Sequence, residues 1–176
     1  MTTTTVTTAP REIRPRVPST RVLLAVNPFV EAILRSPLHR LLSKQVLLLT
    51  YTGRKTGARY TFPVGYSREG DTLTIVSTRH WWQNLRSGAP VIVRLQGRRR
   101  TARADVIAEP DAVLAEVERL VARYGRRDVS RRMYLALDTT PPPTRDELAR
   151  ALRGWVVIHL RLEAGAAEGE RDDDKQ

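Results

Sequence analysis

The chain has 176 residues, 41% of them hydrophobic, with a mean hydropathy of −0.37; this fits one folded domain with enough apolar side chains for a real core. Lysine plus arginine exceed aspartate plus glutamate by 30 to 19, nearly all of them arginine, for a formal net charge of +11, so an acidic partner is expected: nucleic acid, an anionic membrane surface or an acidic small molecule. The absence of cysteine excludes disulfides, thiolate nucleophiles and thiolate metal sites, and is compatible with a reducing cytoplasm.

Residues 1–20, MTTTTVTTAPREIRPRVPST, are rich in threonine and proline and lack the charged-then-apolar order of a secretory signal, so they are expected to be disordered. Residues 21–163 are read as a single folded domain and residues 164–176 as a solvated acidic tail. A helical region opens the domain. Asn27 caps a start with Pro28 at the first helical position, and Ser36 with Pro37 repeats the pattern. Val30, Ile33, Leu34, Leu38, Leu41 and Leu42 recur at helical spacing. The plain reading packs this stripe on a sheet. The alternative, a weak peripheral association with a membrane surface, follows from Arg35, His39, Arg40 and Lys44 beside it. No window reaches the roughly 20 apolar residues of a membrane span.

From Gln45 the pattern becomes that of strands. QVLLLTYT is apolar and leads into a cationic turn, Gly53-Arg54-Lys55-Thr56-Gly57, after which RYTFPVGY resumes. SREGD reads as a second turn and TLTIVST as a third strand. HWWQNLRSG is a short helix. PVIVRLQ and TARADVI flank a turn at Gly97 that carries Arg98, Arg99 and Arg100. A helix runs from Pro110 to Tyr124, with an extension through Met133 left open. Prolines 141–143 then break the chain before a capping box of Thr144 and Glu147, and WVVIHLRLE closes as the last strand. Strands interrupted by one short helix, with return by a terminal strand, predict a mainly β, α+β fold of small-barrel type.

The familiar catalytic patterns are absent: no Gly-x-Ser-x-Gly elbow, no phosphate-loop lysine motif, no Rossmann glycine triplet. His39, His80 and His159 lack the paired spacing of metal ligands, so no metal is expected and each is read as structural. Anion binding is what remains. Backbone N–H groups in a glycine-bounded turn form a concave nest, to which an Arg fork and a Lys point charge add. Between Asp71 and Asp105 there is no acidic residue, whereas Arg79, Arg86, Arg94, Arg98, Arg99, Arg100 and Arg103 all fall there.

In this order and spacing, LLLTYTGRKTG, FPVGYSREGDTLTIVST and WWQNLRSGAPVIVRLQGR resemble the deazaflavin (F420)-dependent nitroreductase family, split β-barrel proteins related to flavin reductases. The resemblance covers roughly Asn27 to Val106 and, more loosely, the closing strand. It implies an FMN-binding-like split barrel with an N-terminal helix and flanking helices. The cofactor it implies is coenzyme F420, an 8-hydroxy-5-deazaflavin whose phosphodiester and carboxylates suit a basic groove; FMN fits less well. It also implies hydride transfer to a quinone or activated nitro acceptor. Carried across residue by residue, Arg54, Lys55, Thr56 and Gly57 match the tail-binding turn, with Arg59 just beyond. Pro63 and Val64 match positions along the ring, Ser77 the end of the third strand, and Trp81 and Asn84 the helix closing the site. Ser77, Tyr124 and Tyr134 are the candidate catalytic residues. Two departures stand out: the segment before Trp81 is short and lacks a His-Pro pair, and Tyr60 occupies a position where many members carry Arg. The competing classes are a non-catalytic module binding a deazaflavin, fatty acid or other amphipathic anion, and a flavin or haem protein of the same barrel. A nucleic-acid binder is disfavoured by the lack of a recognition helix and an aromatic content of 6%. Monomer and homodimer both stay open.

Overall fold

The computed structural model describes residues 46–133 and 136–163. The amphipathic helix expected from Asn27 to Leu42, the candidate Tyr134 and the acidic tail lie outside them. Among the described residues, seven strands form one antiparallel sheet: β1 (Val46–Thr52), β2 (Arg59–Gly65), β3 (Ser67–Glu69), β4 (Thr72–Ser77), β5 (Pro90–Leu95), β6 (Arg98–Ile107) and β7 (Val156–Leu162). Their order is β2-β1-β5-β6-β7-β4-β3. A 3-10 helix, His80–Leu85, joins β4 to β5. Three α-helices, α1 (Pro110–Tyr124), α2 (Arg126–Met133) and α3 (Arg145–Ala151), lie between β6 and β7. β2 at one edge returns to touch β4 near the other. The sheet thus curls into a barrel that stays open along one side, a split β-barrel with flanking helices, as the sequence predicts.

Side chains of a strand alternate between faces, and here both faces are used. Leu47, Leu49 and Tyr51 of β1, Val91 and Val93 of β5, Ile75 of β4 and Ile158 of β7 fill the inside of the curl. Val76 and Val157 point the other way and bury against Val113, Val117 and Leu120 of α1. Strand β7, covered on both sides, therefore reads as a nearly continuous apolar run, whereas β5 keeps a clean alternation.

Two local expectations change, and the open extension of the Pro110–Tyr124 helix is decided. The segment SREGD is not wholly a turn: Ser67–Glu69 pairs with Thr72–Thr74 as a short edge strand, and only Gly70 and Asp71 reverse the chain. Arg98, Arg99 and Arg100 belong to β6 rather than to the turn. The turn is two residues, Gln96 (φ 51) and Gly97 (φ 81), both left-handed as a tight hairpin requires. The α1 helix stops at Tyr124 because Gly125 adopts φ 80 and donates to the Val121 carbonyl, so α2 is a separate element. The capping box forms as read: Thr144 Oγ1 accepts from the Glu147 N–H at 3.3 Å, and Glu147 Oε2 accepts from the Thr144 N–H at 2.9 Å. Among the described residues no helix is long and apolar enough to cross a membrane.

A polar bridge ties α1 to the sheet. Arg119 reaches Glu69 of β3 at 2.8 Å and Glu116 on its own helix at 2.8 Å, and Glu116 Oε1 lies 2.9 Å from His159 Nε2 of β7. Hydrogen bonds from Arg119 hold the Glu116 carboxyl below the usual carboxylate range; His159 adds to this, against the effect of burial. A carboxyl with a lowered folded pKa binds more protons when unfolded, so its stabilisation is complete above the unfolded value and is lost as pH falls through the folded one. The midpoint of thermal unfolding is therefore expected to drop as pH goes from neutral to below the usual carboxylate range. In Glu116→Gln that drop should be shallower, as measured by calorimetry across the pH series.

Candidate functional site

The β1–β2 hairpin builds the site. Its register pairs Tyr51 with Tyr60, Leu49 with Phe62 and Leu47 with Val64. Directly opposed residues share a face, so Tyr60, Phe62 and Val64 look into the curl, while Arg59 and Pro63, opposite Thr52 and Leu48, belong to the outer face. Pro63 and Val64 therefore do not line one surface. The Tyr51 ring lies near-parallel to Tyr60 at 5.4 Å and to Trp81 at 6.2 Å, and Phe62 meets Trp81 edge-on at 5.1 Å. A shelf of rings thus runs from the cationic turn to the 3-10 helix. Tyr51 is buried, and burial first, with Tyr60 adding, pushes its hydroxyl pKa up, so it stays neutral. Tyr60, 43% exposed, offers aromatic surface to solvent.

The turn itself is tightly built. Gly53 N–H donates to the Ala58 carbonyl at 2.8 Å, Gly57 N–H to the Gly53 carbonyl at 2.8 Å, and Ala58 N–H to Thr56 Oγ1 at 3.3 Å. Gly57 sits at φ 67. Gly53 is required by close approach instead: a Cβ there would lie 2.8 Å from the Tyr60 ring. Arg54 leaves the hairpin to meet the 3-10 helix, its N–H donating to Asn84 Oδ1 at 3.1 Å and its guanidinium reaching the Gln83 carbonyl at 3.4 Å. Among the described residues the amides of Lys55 and Thr56 carry no partner. The nest is narrower than the motif alone suggests, two amides beside a lysine and an arginine.

The 3-10 helix is held at both ends. Ser77, opposite Val156 on the inner face at the end of β4, accepts from the Arg79 N–H at 3.2 Å. At the other end Asn84 Nδ2 donates to the Trp81 carbonyl at 3.0 Å. Trp81 and Trp82 diverge as expected: Trp81 turns onto Tyr51 and Phe62, and Arg86 stacks over Trp82 at 4.7 Å. The structure thus brings together Arg54, Lys55, Thr56, Gly57, Trp81 and Asn84, with Val64 and Ser77 on the same inner face. It does not bring in Tyr124. That side chain packs in the helix layer, and its hydroxyl donates to the Arg68 carbonyl at 3.0 Å. Nor do the arginines of the acid-free stretch form one groove. Because β5 runs antiparallel to β1, with Arg94 opposite Leu48 and Arg99, Arg94, Arg98 and Arg99 sit at the end of the sheet away from the turn. Sequence reasoning missed Tyr51 and Phe62, although Tyr51 and Tyr60 each stand second from the connection, residues 53–58, between β1 and β2, a spacing that a hairpin register reveals. Among the described residues no group of three or more His, Asp or Glu side chains could hold a metal.

The donor set fits a ligand that is anionic at one end and flat at the other: uncommitted amides and cations at the turn, a shelf of rings leading inward. The strand order and pairing define a split β-barrel with flanking helices. Residues 33–133, more than half of the chain, match the model of the F420H(2)-dependent quinone reductases, and the chain belongs to that family. It is an F420-dependent reductase, and F420 is its cofactor. Among solved structures, an F420 reductase is 18% identical, covering 78% of this chain and 96% of its own, with a TM-score of 0.40. An F420-H2 dependent reductase is 15% identical, covering 68% and 95%, with a TM-score of 0.41. An FAD- and haem-binding protein from Mycobacterium smegmatis is 23% identical, covering 74% and 73%, with a TM-score of 0.38. No curated protein matches the chain.

Truncating the shelf separates its structural from its exposed part. Trp81→Ala should lower stability by about 3 kcal/mol, the low end for aromatic truncation because the ring is only half-buried. Tyr60→Ala should lower it by less than about 1 kcal/mol. Urea unfolding of both variants checks the ranking.

Proposed function

We propose that the chain reduces a quinone to its quinol at the inner mouth of the split barrel, with F420 held by the β1–β2 turn. The observation that supports this most is the run of near-parallel rings from the basic turn to Trp81, in a chain whose family is named for quinone reduction. Lys55, the amides of Lys55 and Thr56, and the Arg54 guanidinium would hold the phosphodiester and acidic tail through charge-assisted hydrogen bonds. The shelf and Val64 would lie along the flat part. Conversion of a quinone to its quinol requires a hydride and a proton, and F420H2, oxidised to F420, supplies the hydride when bound.

The protein's own contribution is orientation and exclusion of water. Trp81, fixed by Tyr51 and Phe62, presents a rigid apolar wall against which a planar acceptor can stack. Ser77 is the side chain we assign to the proton: its oxygen already accepts from Arg79, which leaves the hydroxyl hydrogen to be donated to the acceptor oxygen and replaced from solvent. Tyr124, its hydroxyl committed to Arg68, has no part.

Two measurements test the assignment. The double variant Arg54→Ala with Lys55→Ala should weaken F420 binding by about 2–4 kcal/mol, the sum of two charge-assisted contacts, with little change in folding because both side chains are exposed; fluorescence titration reads it. Stopped-flow oxidation of bound F420H2 by menadione should exceed the rate of the free cofactor and fall in Ser77→Ala. A rate no faster than that of free F420H2 would favour a module that binds the deazaflavin without turning it over.

A further inference from the structure

The backbone amides of the turn divide into three groups. Those of Gly53, Gly57 and Ala58 are satisfied within the hairpin. Those of Lys55 and Thr56 carry no partner among the described residues. The Arg54 amide alone leaves the hairpin, for the side chain of Asn84, thirty residues further along the chain. Asn84 has no freedom in this arrangement. Its oxygen must face a donor, the Arg54 N–H, and its NH2 must face an acceptor, the Trp81 carbonyl at 3.0 Å, so flipping the amide would break both bonds. One side chain therefore fixes the turn that carries the cations to the helix that carries the indole.

We propose that Asn84 is a positioning residue for anion binding: it makes no contact with the ligand but, by engaging the Arg54 amide, orients the turn so that the two neighbouring amides, Lys55 and Thr56, converge on one phosphate oxygen. This rests on the reading of the turn as the F420 tail site. Each end of the Asn84 amide is engaged by backbone within the protein, the oxygen by Arg54 and the NH2 by Trp81. The arrangement also links the two halves of the site. A turn released from Asn84 is no longer in register with Trp81, so affinity for the acidic tail and placement of the flat part depend on the same amide group.

The chemistry of the aspartate variant supplies a test that a purely structural role would not pass. In Asn84→Asp at neutral pH the carboxylate has no proton to donate and is repelled by the Trp81 carbonyl, so it is displaced from its place beside the Arg54 N–H. Once protonated, it regains a donor and an acceptor in place of the amide. F420 and inorganic pyrophosphate are titrated into wild type, Asn84→Ala and Asn84→Asp by fluorescence and calorimetry from pH 7.5 to pH 4, and exchange of the Arg54 amide proton is followed by NMR. At pH 7.5 both variants should bind each anion about tenfold more weakly than wild type, the upper end of the loss expected for one hydrogen bond, with faster Arg54 exchange. As pH falls through the carboxylate range near 4, Asn84→Asp should converge on wild type measured at the same pH, while Asn84→Ala should not. If Asn84→Ala does not fold, the pH-dependent recovery of Asn84→Asp decides alone. Wild-type affinity for F420 in either variant at pH 7.5, or loss in Asn84→Asp with no recovery in acid, would overturn the positioning role and leave the cofactor assignment standing. Binding of pyrophosphate with this dependence on Asn84, but no binding of F420 by wild type, would uphold the role and remove the cofactor assignment.

Discussion

Tyr51 is the residue on which the site depends. Its ring is held between Tyr60 across the hairpin and Trp81 on the 3-10 helix, and it is buried because β1 sends it into the curl with Leu47 and Leu49. The contact joins the hairpin to the 3-10 helix, alongside the Phe62–Trp81 and Arg54–Asn84 contacts. It fixes the register of the hairpin, which places the cationic turn at the lip of the barrel, and it gives the 3-10 helix an apolar seat. That helix is short, and 3-10 geometry is weak in isolation, so its position is set by what it touches. An aliphatic side chain at position 51 would fill the core but leave Trp81 without a parallel partner.

The sheet separates two tasks. Inside the curl, rings and aliphatic side chains pack into one apolar cluster. On the opposite side, α1 covers Val76 and Val157, and the Glu69, Arg119, Glu116 and His159 bridge secures helix and sheet at their polar margin. Tyr124 belongs to this second layer together with Arg123 and Arg132, whose guanidinium groups lie over its ring. Its hydroxyl anchors the helix layer to the β3 edge through the Arg68 carbonyl.

Much of this was legible in the sequence. Alternating and continuous apolar runs located the longer strands, and proline with a capping box located α3, because those signals act over a few neighbouring residues. The motif around Arg54 and the tryptophan pair pointed to two segments that the fold brings into contact. What escaped had other causes. Three residues of β3 are too few to display a period, and their charges resemble a turn. Arg98 to Arg100 pair as a strand because β5 lies beside them, a fact of topology that overrides their polarity. Which face of α1 Tyr124 occupies depends on where the helix lands. The partner of Asn84, thirty positions away, is set by how a hairpin and a helix meet, and no local pattern encodes that.

Pro63 has a further consequence. It sits in the middle of β2, an outermost strand of the sheet by its order, and it lacks the N–H that a ladder needs. A proline is tolerated on a margin and excluded from the interior of a sheet. An unprotected margin of seven residues is an invitation to strand addition, in which another extended chain zips on through main-chain bonds. The missing donor interrupts any such zipper near its midpoint. At the other margin, β3 is only three residues long and carries Arg68 and Glu69. Among the described residues, neither border of the open barrel is a long, regular template for strand addition.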